Sequence, residues 1–239
     1  MLVTTKAIVL SSLKYGDTSL IVKAYTESDG LKSYLLKGVL TSKKGKLKPA
    51  YFQPLMQLEL TAFHKNKGTL ENIREVKVIH PYLNLHTHII KNSLVLFLAE
   101  MLGNSIQEEE KDLSLYNYLE YALQWLDLND KIANFHLLFL LNLTKYLGFY
   151  PEETNHKSNY FDLLEGQFIT RPSLNPLIAK DQLLSFKQLL GINFDALLTL
   201  KITKANRESL LKSVILYFEL HLHGFRKPKS LAILNAVFD

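Results

Sequence analysis

The first eighty residues alternate between apolar and polar positions, which is the pattern of half-buried β-strands. Short alternating runs cover residues 6–10, 19–26, 31–37, 55–63 and 70–79. Turn-forming residues lie between them, including Gly16 with Asp17 and Asp29 with Gly30. Five short strands joined by glycine-containing turns predict a small β-barrel. The pattern alone leaves an OB-type barrel and an SH3-like barrel open.

From residue 84 onward, the apolar residues recur at the spacing of an α-helix. The helical segments cover residues 89–102, 112–126, 130–147, 180–190 and 204–223. The third segment is apolar on nearly all sides, which predicts a buried helix at the centre of a bundle. Gly103 and Asn104 are expected to end the first helix, and Gly148 is expected to end the third.

Residues 160–170 have the pattern of a β-hairpin that turns near Glu165 and Gly166. Pro172 and Pro176 predict that the stretch after the hairpin has no regular structure. The whole pattern therefore predicts an α+β protein. We expect a five-stranded barrel in residues 1–80 and a mostly α-helical domain in residues 81–239, with the hairpin inserted in it.

Positive charge is concentrated in the first third of the chain. Residues 1–80 contain 13 Lys and Arg against 6 Asp and Glu, a net charge of +7, whereas residues 81–239 have a net charge of −2. Residues 37–48, here called the basic loop, contain five lysines, and no acidic residue occurs in residues 31–58. A cationic loop between two strands fits a polyanion, with nucleic acid as the first candidate. The alternative is a solvated loop that prevents aggregation of an edge strand.

The lysines of this region are the candidate phosphate contacts, because such contacts give sequence-independent affinity that falls steeply with salt. They are Lys37, Lys43, Lys44, Lys46 and Lys48, with Lys14 as a weaker addition.

Aromatic residues are interleaved with this charge, and an exposed ring beside a basic groove can stack on a base. They are Tyr15, Tyr25, Tyr34, Tyr51, Phe52 and Phe63. Tyr51 and Phe52 follow Lys48 closely and are the stacking candidates, with Tyr51 included in the predicted DNA-binding set. Tyr25 and Phe63 end alternating strands and are expected in the core.

The chain contains no cysteine, which excludes disulfides, thiolate metal sites and cysteine nucleophiles and fits a reducing cytoplasm. His86 and His88 are two residues apart, as are His221 and His223, and such pairs on a helix face different directions. No P-loop, GxGxxG or GxSxG motif is present. We therefore expect no catalytic residue, no metal and no cofactor.

The most apolar segment, residues 93–101, contains Glu100 and is too short to span a bilayer. The expectation is a cytoplasmic protein without a membrane partner.

Several segments resemble those of the RecO family of bacterial recombination mediators and DNA-annealing proteins. They are Ala7-Ile8-Val9-Leu10, Tyr15-Gly16-Asp17-Thr18-Ser19, Tyr25-Thr26 with Gly30, Lys37-Gly38-Val39, Phe97-Leu98-Ala99-Glu100, Phe135-His136-Leu137, Leu147-Gly148-Phe149-Tyr150-Pro151 and Lys229-Ser230-Leu231. Their order and spacing cover nearly the whole chain. The resemblance implies an N-terminal OB-fold and a helical C-terminal domain.

The resemblance also implies a non-enzymatic function. Members of the family bind single- and double-stranded DNA, anneal strands coated by single-strand-binding protein, and work with RecR to load RecA. It further implies a pocket on the helical domain for the acidic, Phe-ended C-terminal tail of single-strand-binding protein. Lys131, Lys145 and Arg207 are candidate cations beside that pocket. The alternative function is mainly that of an adaptor for single-strand-binding protein and RecR.

The chain departs from the family pattern at one place. Many relatives carry four cysteines as a zinc module around the hairpin, and here residues 154–159 and 170–173 stand where the two pairs would lie. Without cysteine, a thiolate zinc site is excluded. We expect packing alone to hold the hairpin.

Overall fold

The computed structural model describes residues 1–41, 47–65, 67–107, 110–152 and 158–238. The chain divides into two compact units, of which the second is Leu128–Lys227 and the first contains the residues on either side of it. Within the described ranges, no helix combines the length and apolar character needed to cross a lipid bilayer.

Most strands and helices lie where the pattern of the sequence predicts them, but the first strand is much longer than the predicted residues 6–10, and the last helix was not predicted. The strands are β1 (Leu2–Tyr15), β2 (Ser19–Thr26), β3 (Gly30–Leu36), β4 (Gln57–Phe63), β5 (Asn72–Val78), β6 (Tyr160–Asp162), β7 (Gln167–Ile169) and β8 (Leu177–Ala179). The helices are α1 (Ile89–Ser105), α2 (Leu113–Leu128), α3 (Phe135–Tyr146), α4 (Lys180–Leu189), α5 (Lys204–His221) and α6 (Leu231–Phe238).

The first five strands form a barrel with the order β3-β2-β1-β4-β5. Strand β1 is long enough to pair with β4 along its first half and with β2 along its second half. An irregularity between Val9 and Ser11 bends β1 between these two partners. Gly16 and Gly30 have φ angles of +61° and +62° in the two predicted turns, a conformation that glycine adopts without strain.

Parallel pairing between β3 and the start of β5 closes the barrel. Tyr34 forms a parallel bridge with Glu71, the amide of Leu35 donates to the Glu71 carbonyl (2.9 Å), and the Glu71 amide donates to the Ser33 carbonyl (2.8 Å). Strands β1, β2 and β3 pair in sequence order, β4 pairs with β1, and β5 pairs with β4 and contacts β3. This closed arrangement of five strands is the OB barrel. The predicted α+β class with an OB-type barrel is confirmed.

The alternating apolar residues point into the barrel. Its core contains Ala7, Val9, Leu20, Val22, Ala24, Tyr34, Leu36, Val39, Phe52, Leu58, Leu60, Ala62 and Ile73. Tyr25 is buried as predicted, and its hydroxyl donates to the Asp112 carbonyl (3.3 Å). The core prediction for Phe63 is wrong, because this ring pairs with Leu2 at the end of the sheet and is 45% exposed.

Helix α1 continues through Gly103 and ends at Ser105, one residue past the predicted stop at Gly103 and Asn104. A glycine in a helix costs about 1 kcal/mol relative to alanine. Burial of Leu98, Met101 and Leu102 on the same helix outweighs that cost, since each such side chain contributes about 1.5–3 kcal/mol.

In the first unit, Glu100 of α1 holds the start of α6. Its carboxylate accepts hydrogen bonds from the amides of Lys229 and Ser230 (both 2.9 Å) and from the Ser230 hydroxyl (2.6 Å). Burial alone would raise the pKa of Glu100, but these hydrogen bonds and the charge of Lys229 lower it. A carboxylate at the N-terminus of a helix is favourable because the helix dipole is positive there.

Helix α3 forms the centre of the second unit. Its residues from Phe135 to Thr144 are buried with the exception of Asn142, as the apolar pattern predicted. Gly148 follows with a φ of +82°, and the chain turns there as predicted.

The predicted hairpin is present as β6 and β7, and Gly166 has a φ of +68° in its turn. A third strand, β8, pairs with the other edge of β6. The prediction of no regular structure after Pro176 is therefore wrong. Pro176 lies just before β8, where a proline is tolerated because it is not inside the strand. Its carbonyl accepts a hydrogen bond from the amide of Leu163 (3.0 Å).

Candidate nucleic-acid interface

The N-terminal end of the basic loop is fixed to the barrel. After β3, Val39 is buried in the barrel core. The Leu40 amide donates to the Thr18 carbonyl in the turn between β1 and β2 (2.9 Å). Lys37 is exposed beside these contacts. Its backbone is therefore held in place while its charge faces solvent.

The C-terminal end of the basic loop is fixed in a similar way. Leu47 packs against the barrel core, and Pro49–Phe52 forms a short 3₁₀ turn whose last ring is buried. Lys48 is exposed, and its Nζ lies 5.9 Å from the centre of the Tyr51 ring. Lys43, Lys44 and Lys46 fall outside the described residues, so their role stays a prediction.

The two stacking candidates differ in burial. Phe52 is only 1% exposed, so the stacking prediction for this ring is wrong: it fills the core beneath the loop. Tyr51 packs against the core but is only partly buried, and Lys48 lies above its ring. Tyr51 stays a candidate for contact with a base.

Lys14 is exposed near the end of β1, where it pairs with Leu20 of β2. Among the described residues, no ion pair involves Lys14, Lys37 or Lys48. The positive charges of these three side chains are therefore available to an external anion.

Two exposed side chains beside this region were not chosen from the sequence: Tyr15 was named among the interleaved aromatic residues but not as a stacking candidate, and Leu13 was not named. Leu13 and Tyr15 are 65% and 56% exposed on the hairpin formed by β1 and β2. The available signal was their alternation with Lys14, which places both on one face of β1.

The predicted partner cations lie in three different surroundings in the second unit. A cavity of ≈ 570 Å³ is lined by two cations and one acid, Lys131, Lys201 and Asp130. Ile132, Leu197 and Leu198 also line it. The side-chain Nδ2 of Asn134, which also lines this cavity, donates to the Leu200 carbonyl (3.1 Å).

The other two cations do not line this cavity. Lys145 lies over the ring of Tyr150, with 4.3 Å between Nζ and the ring centre. Arg207 is half-buried and donates to the Ile202 carbonyl (3.4 Å), and burial lowers its pKa. Of the three predicted cations, the cavity therefore selects Lys131.

The described residues contain no group of three His, Asp or Glu side chains that could hold a metal ion. His86 Nε2 lies 2.9 Å from the Pro54 carbonyl, and His221 Nε2 lies 2.9 Å from the Leu163 carbonyl. These histidines have structural hydrogen bonds.

Two family models match consecutive parts of the chain. The model Recombination protein O N terminal matches residues 1–82, and Recombination protein O C terminal matches residues 86–232. The chain belongs to the RecO family. Proteins called DNA repair protein RecO are similar over the full length of both chains, with 53% identity in Christiangramia forsetii, 48% in Flavobacterium psychrophilum and 37% in Bacteroides fragilis.

The zinc module of many RecO proteins does not fit this chain, since it has no cysteine. The hairpin of this chain contains a buried carboxylate, Asp162. Its oxygens accept hydrogen bonds from the amides of Leu164 (3.0 Å) and Glu165 (3.1 Å), the Ser173 hydroxyl (2.6 Å) and the Asn175 side chain (3.0 and 3.2 Å). The expectation that packing alone holds the hairpin is therefore wrong.

Proposed function

We propose that this RecO-family member acts in DNA repair in the bacterial cytoplasm as a non-enzymatic DNA-binding protein. In this proposal it binds single- and double-stranded DNA, anneals complementary strands and works with RecR to load RecA. The observation that carries the proposal is the exposure of Lys37 and Lys48 at the two fixed ends of an acid-free loop on an OB barrel.

The arrangement suits contact with phosphates rather than recognition of bases. Lysine is a compact charge on a flexible side chain, and its phosphate contacts release counterions without reading sequence. A loop that is fixed at both ends loses less conformational entropy on binding than a free segment of equal length. Cations held on such a surface also reduce the repulsion between two strands, which favours annealing while the bases stay free to pair.

The test is the salt dependence of affinity for a single-stranded oligonucleotide. The loop variant replaces Lys43, Lys44, Lys46 and Lys48 with Ala. The control variant removes the same charge from four exposed cations near β5: Lys65, Lys67, Arg74 and Lys77.

Each phosphate contact with single-stranded DNA contributes about 0.7 to the slope of log affinity against log salt. Loss of four contacts should therefore flatten the slope by about 3 in the loop variant and leave it nearly unchanged in the control. Annealing of complementary strands should slow in the same variant. An unchanged slope in the loop variant would refute the assignment of DNA binding to this loop.

A second candidate function is that of an adaptor for the acidic, Phe-ended tail of single-strand-binding protein. The observation that favours it is the cavity in the second unit, where Lys131 and Lys201 stand beside apolar Leu197 and Leu198. An aromatic end group fits the apolar part, and the lysines suit the carboxylates.

A fluorescent tail peptide titrated against charge-reversed variants tests this second function. Lys131→Glu should weaken binding at least tenfold, because it places an anion beside the peptide carboxylates. Lys145→Glu is the matched control, since Lys145 is exposed in the same unit but does not line the cavity. Equal weakening by both variants would place the tail elsewhere.

A further inference from the structure

Strand β1 extends past its partner β4 toward the turn that joins it to β2. The pairing of β1 with β4 stops at Ile8, whereas the pairing with β2 continues to Tyr15, and β3 follows β2 as far as the pair of Leu20 with Leu36. At the tip of the hairpin of β1 and β2, Tyr15 is 56% exposed and lies on the same face as Leu13. In the described part of the chain, the Tyr15 side chain takes part in no hydrogen bond and no contact with another ring.

The backbone that carries Tyr15 is nevertheless held firmly. Tyr15 pairs with Ser19, and Gly16 makes the turn in a left-handed conformation. The same turn joins the basic loop through the Leu40 amide and the Thr18 carbonyl (2.9 Å). Tyr15 is therefore an exposed ring on a fixed support beside exposed lysines.

We infer that Tyr15 is a stacking platform for a base of single-stranded nucleic acid whose phosphates lie along Lys14 and Lys37. This inference rests on the proposed DNA-binding function and assigns a base contact to it. Charge complementarity selects the ligand, because Lys14, Lys37 and Lys48 are exposed and take part in no ion pair among the described residues.

The alternation of the strand supports this arrangement. Tyr15 and Lys14 are consecutive, so their side chains leave opposite faces of β1. Past Ile8, β1 has no β4 partner on its other edge. A nucleotide at the tip of β1 can then place its base on one side and its phosphate on the other.

A stacking platform discriminates between forms of DNA in a way that lysines do not. Every base offers a flat face, so stacking tolerates any sequence. In a duplex these faces are already covered by neighbouring bases. The ring should therefore add affinity for single strands and add little for duplexes.

The experiment compares Tyr15→Ala and Tyr15→Phe with the wild-type protein. Oligo-dT and a duplex of equal length are titrated across a range of salt concentrations. Tyr121→Ala is the control, because Tyr121 is also about half-exposed but lies on α2. The three variants are first checked for a melting temperature equal to that of the wild-type protein.

Tyr15→Ala should weaken oligo-dT binding by about 5- to 150-fold, the range that corresponds to one base stacked on an aromatic ring. The slope of log affinity against log salt should stay unchanged, because no phosphate contact is removed. The affinity for the duplex should stay within about twofold of wild type. Tyr15→Phe should bind oligo-dT like the wild type, since the ring is kept. An oligonucleotide with 5-iodouracil should form a photo-cross-link at Tyr15.

Two outcomes separate the inference from the function on which it rests. If wild type binds DNA with a steep salt slope but Tyr15→Ala binds oligo-dT equally well, the stacking role is refuted and the loop function stands. If wild type shows no salt-dependent DNA binding, both are refuted. Loss of binding to a partner protein with unchanged DNA binding would assign the hairpin to a protein interface and overturn the inference.

Discussion

Replacement of Asp162 should destabilise the hairpin of the second unit. This carboxylate is 2% exposed and joins the turn between β6 and β7 to the segment that contains Ser173 and Asn175. In Asp162→Asn, Oδ1 can still accept from the amides of Leu164 and Glu165. The new Nδ2 group stands in the position of Oδ2 and faces the side-chain Nδ2 of Asn175, so two hydrogen-bond donors oppose each other.

The magnitude follows from the bonds that are lost. A hydrogen bond to a charged group contributes about 1.5–3 kcal/mol, so Asp162→Asn should lower the free energy of unfolding by about that amount. For a chain of this length, about 2–4 °C of melting temperature corresponds to each kcal/mol, which gives a decrease of about 3–12 °C. Asp162→Ala leaves the two amides without an acceptor and should cost about 3–5 kcal/mol.

Thermal unfolding as a function of pH is the assay. Burial alone would raise the pKa of Asp162, but the hydrogen bonds from Ser173, Glu165, Asn175 and Leu164 lower it below its ordinary value of 3.8. As the pH falls, Asp162 therefore takes up a proton in the unfolded chain before it does so in the folded protein. The contribution of Asp162 is complete above about pH 5 and is lost as the pH falls below about 4. The difference between wild type and Asp162→Asn should shrink in that range.

Glu165→Gln is the control, because Glu165 is an exposed acid in the same turn. It should melt within about 1 °C of wild type, since single surface charges contribute little. A chelator should also leave the wild-type melting temperature unchanged, because no cysteine is present to form the zinc module. The reasoning fails if Asp162→Asn melts like wild type at pH 7, or if the control loses as much stability.

Three further predictions concern one half-buried and two buried ionisable groups. Glu100→Gln should remove about 1–2 kcal/mol from the start of α6, seen as faster hydrogen exchange in that helix, and unchanged exchange would contradict it. Asp127 accepts from the amides of residues 83–85 at 2.7–3.0 Å, so Asp127→Asn should lower the free energy of unfolding by about 2–4 kcal/mol in a denaturant titration, and an unchanged midpoint would argue against it. Burial, with a smaller contribution from Arg207, lowers the pKa of His136 to about 3. As the pH falls, His136 is protonated in the unfolded chain before the folded one, so the free energy of unfolding should fall by about 1.4 kcal/mol per pH unit between about pH 6 and pH 4. An equally steep fall in His136→Gln would refute the assignment of this pH dependence to His136.

The barrel strands were predictable because their signals are local. A period of two and a glycine in each turn depend only on neighbouring residues, and β1 to β5 lie where this pattern predicts. The same signal misassigned Phe63, because alternation defines a face of a strand but not what covers it. Phe52 was misassigned for another reason, since its position close to Lys48 in the sequence does not show which way its ring turns. Phe63 lies at an uncovered end of the sheet, whereas Phe52 turns into the core after the basic loop.

Competing long-range interactions explain the other errors. Gly103 is a common helix end, yet burial of its neighbours continues α1 through it. Strand β8 has only three residues and follows a proline, so no periodicity can develop. Its partner is the free edge of β6, and that edge exists only in the folded unit.

The sequence by itself determined the strand and helix pattern, the buried helix α3, the concentration of charge in the first third and the exclusion of a thiolate zinc site. These follow from local periodicity and from composition. Only the tertiary structure decided the closure of the barrel by Tyr34 and Glu71, the contact of the basic loop with the tip that carries Tyr15, and the hydrogen bonds that Asp162 accepts from Ser173 and Asn175. Each of these joins segments that are separated along the chain, and periodicity carries no information about which distant segments meet.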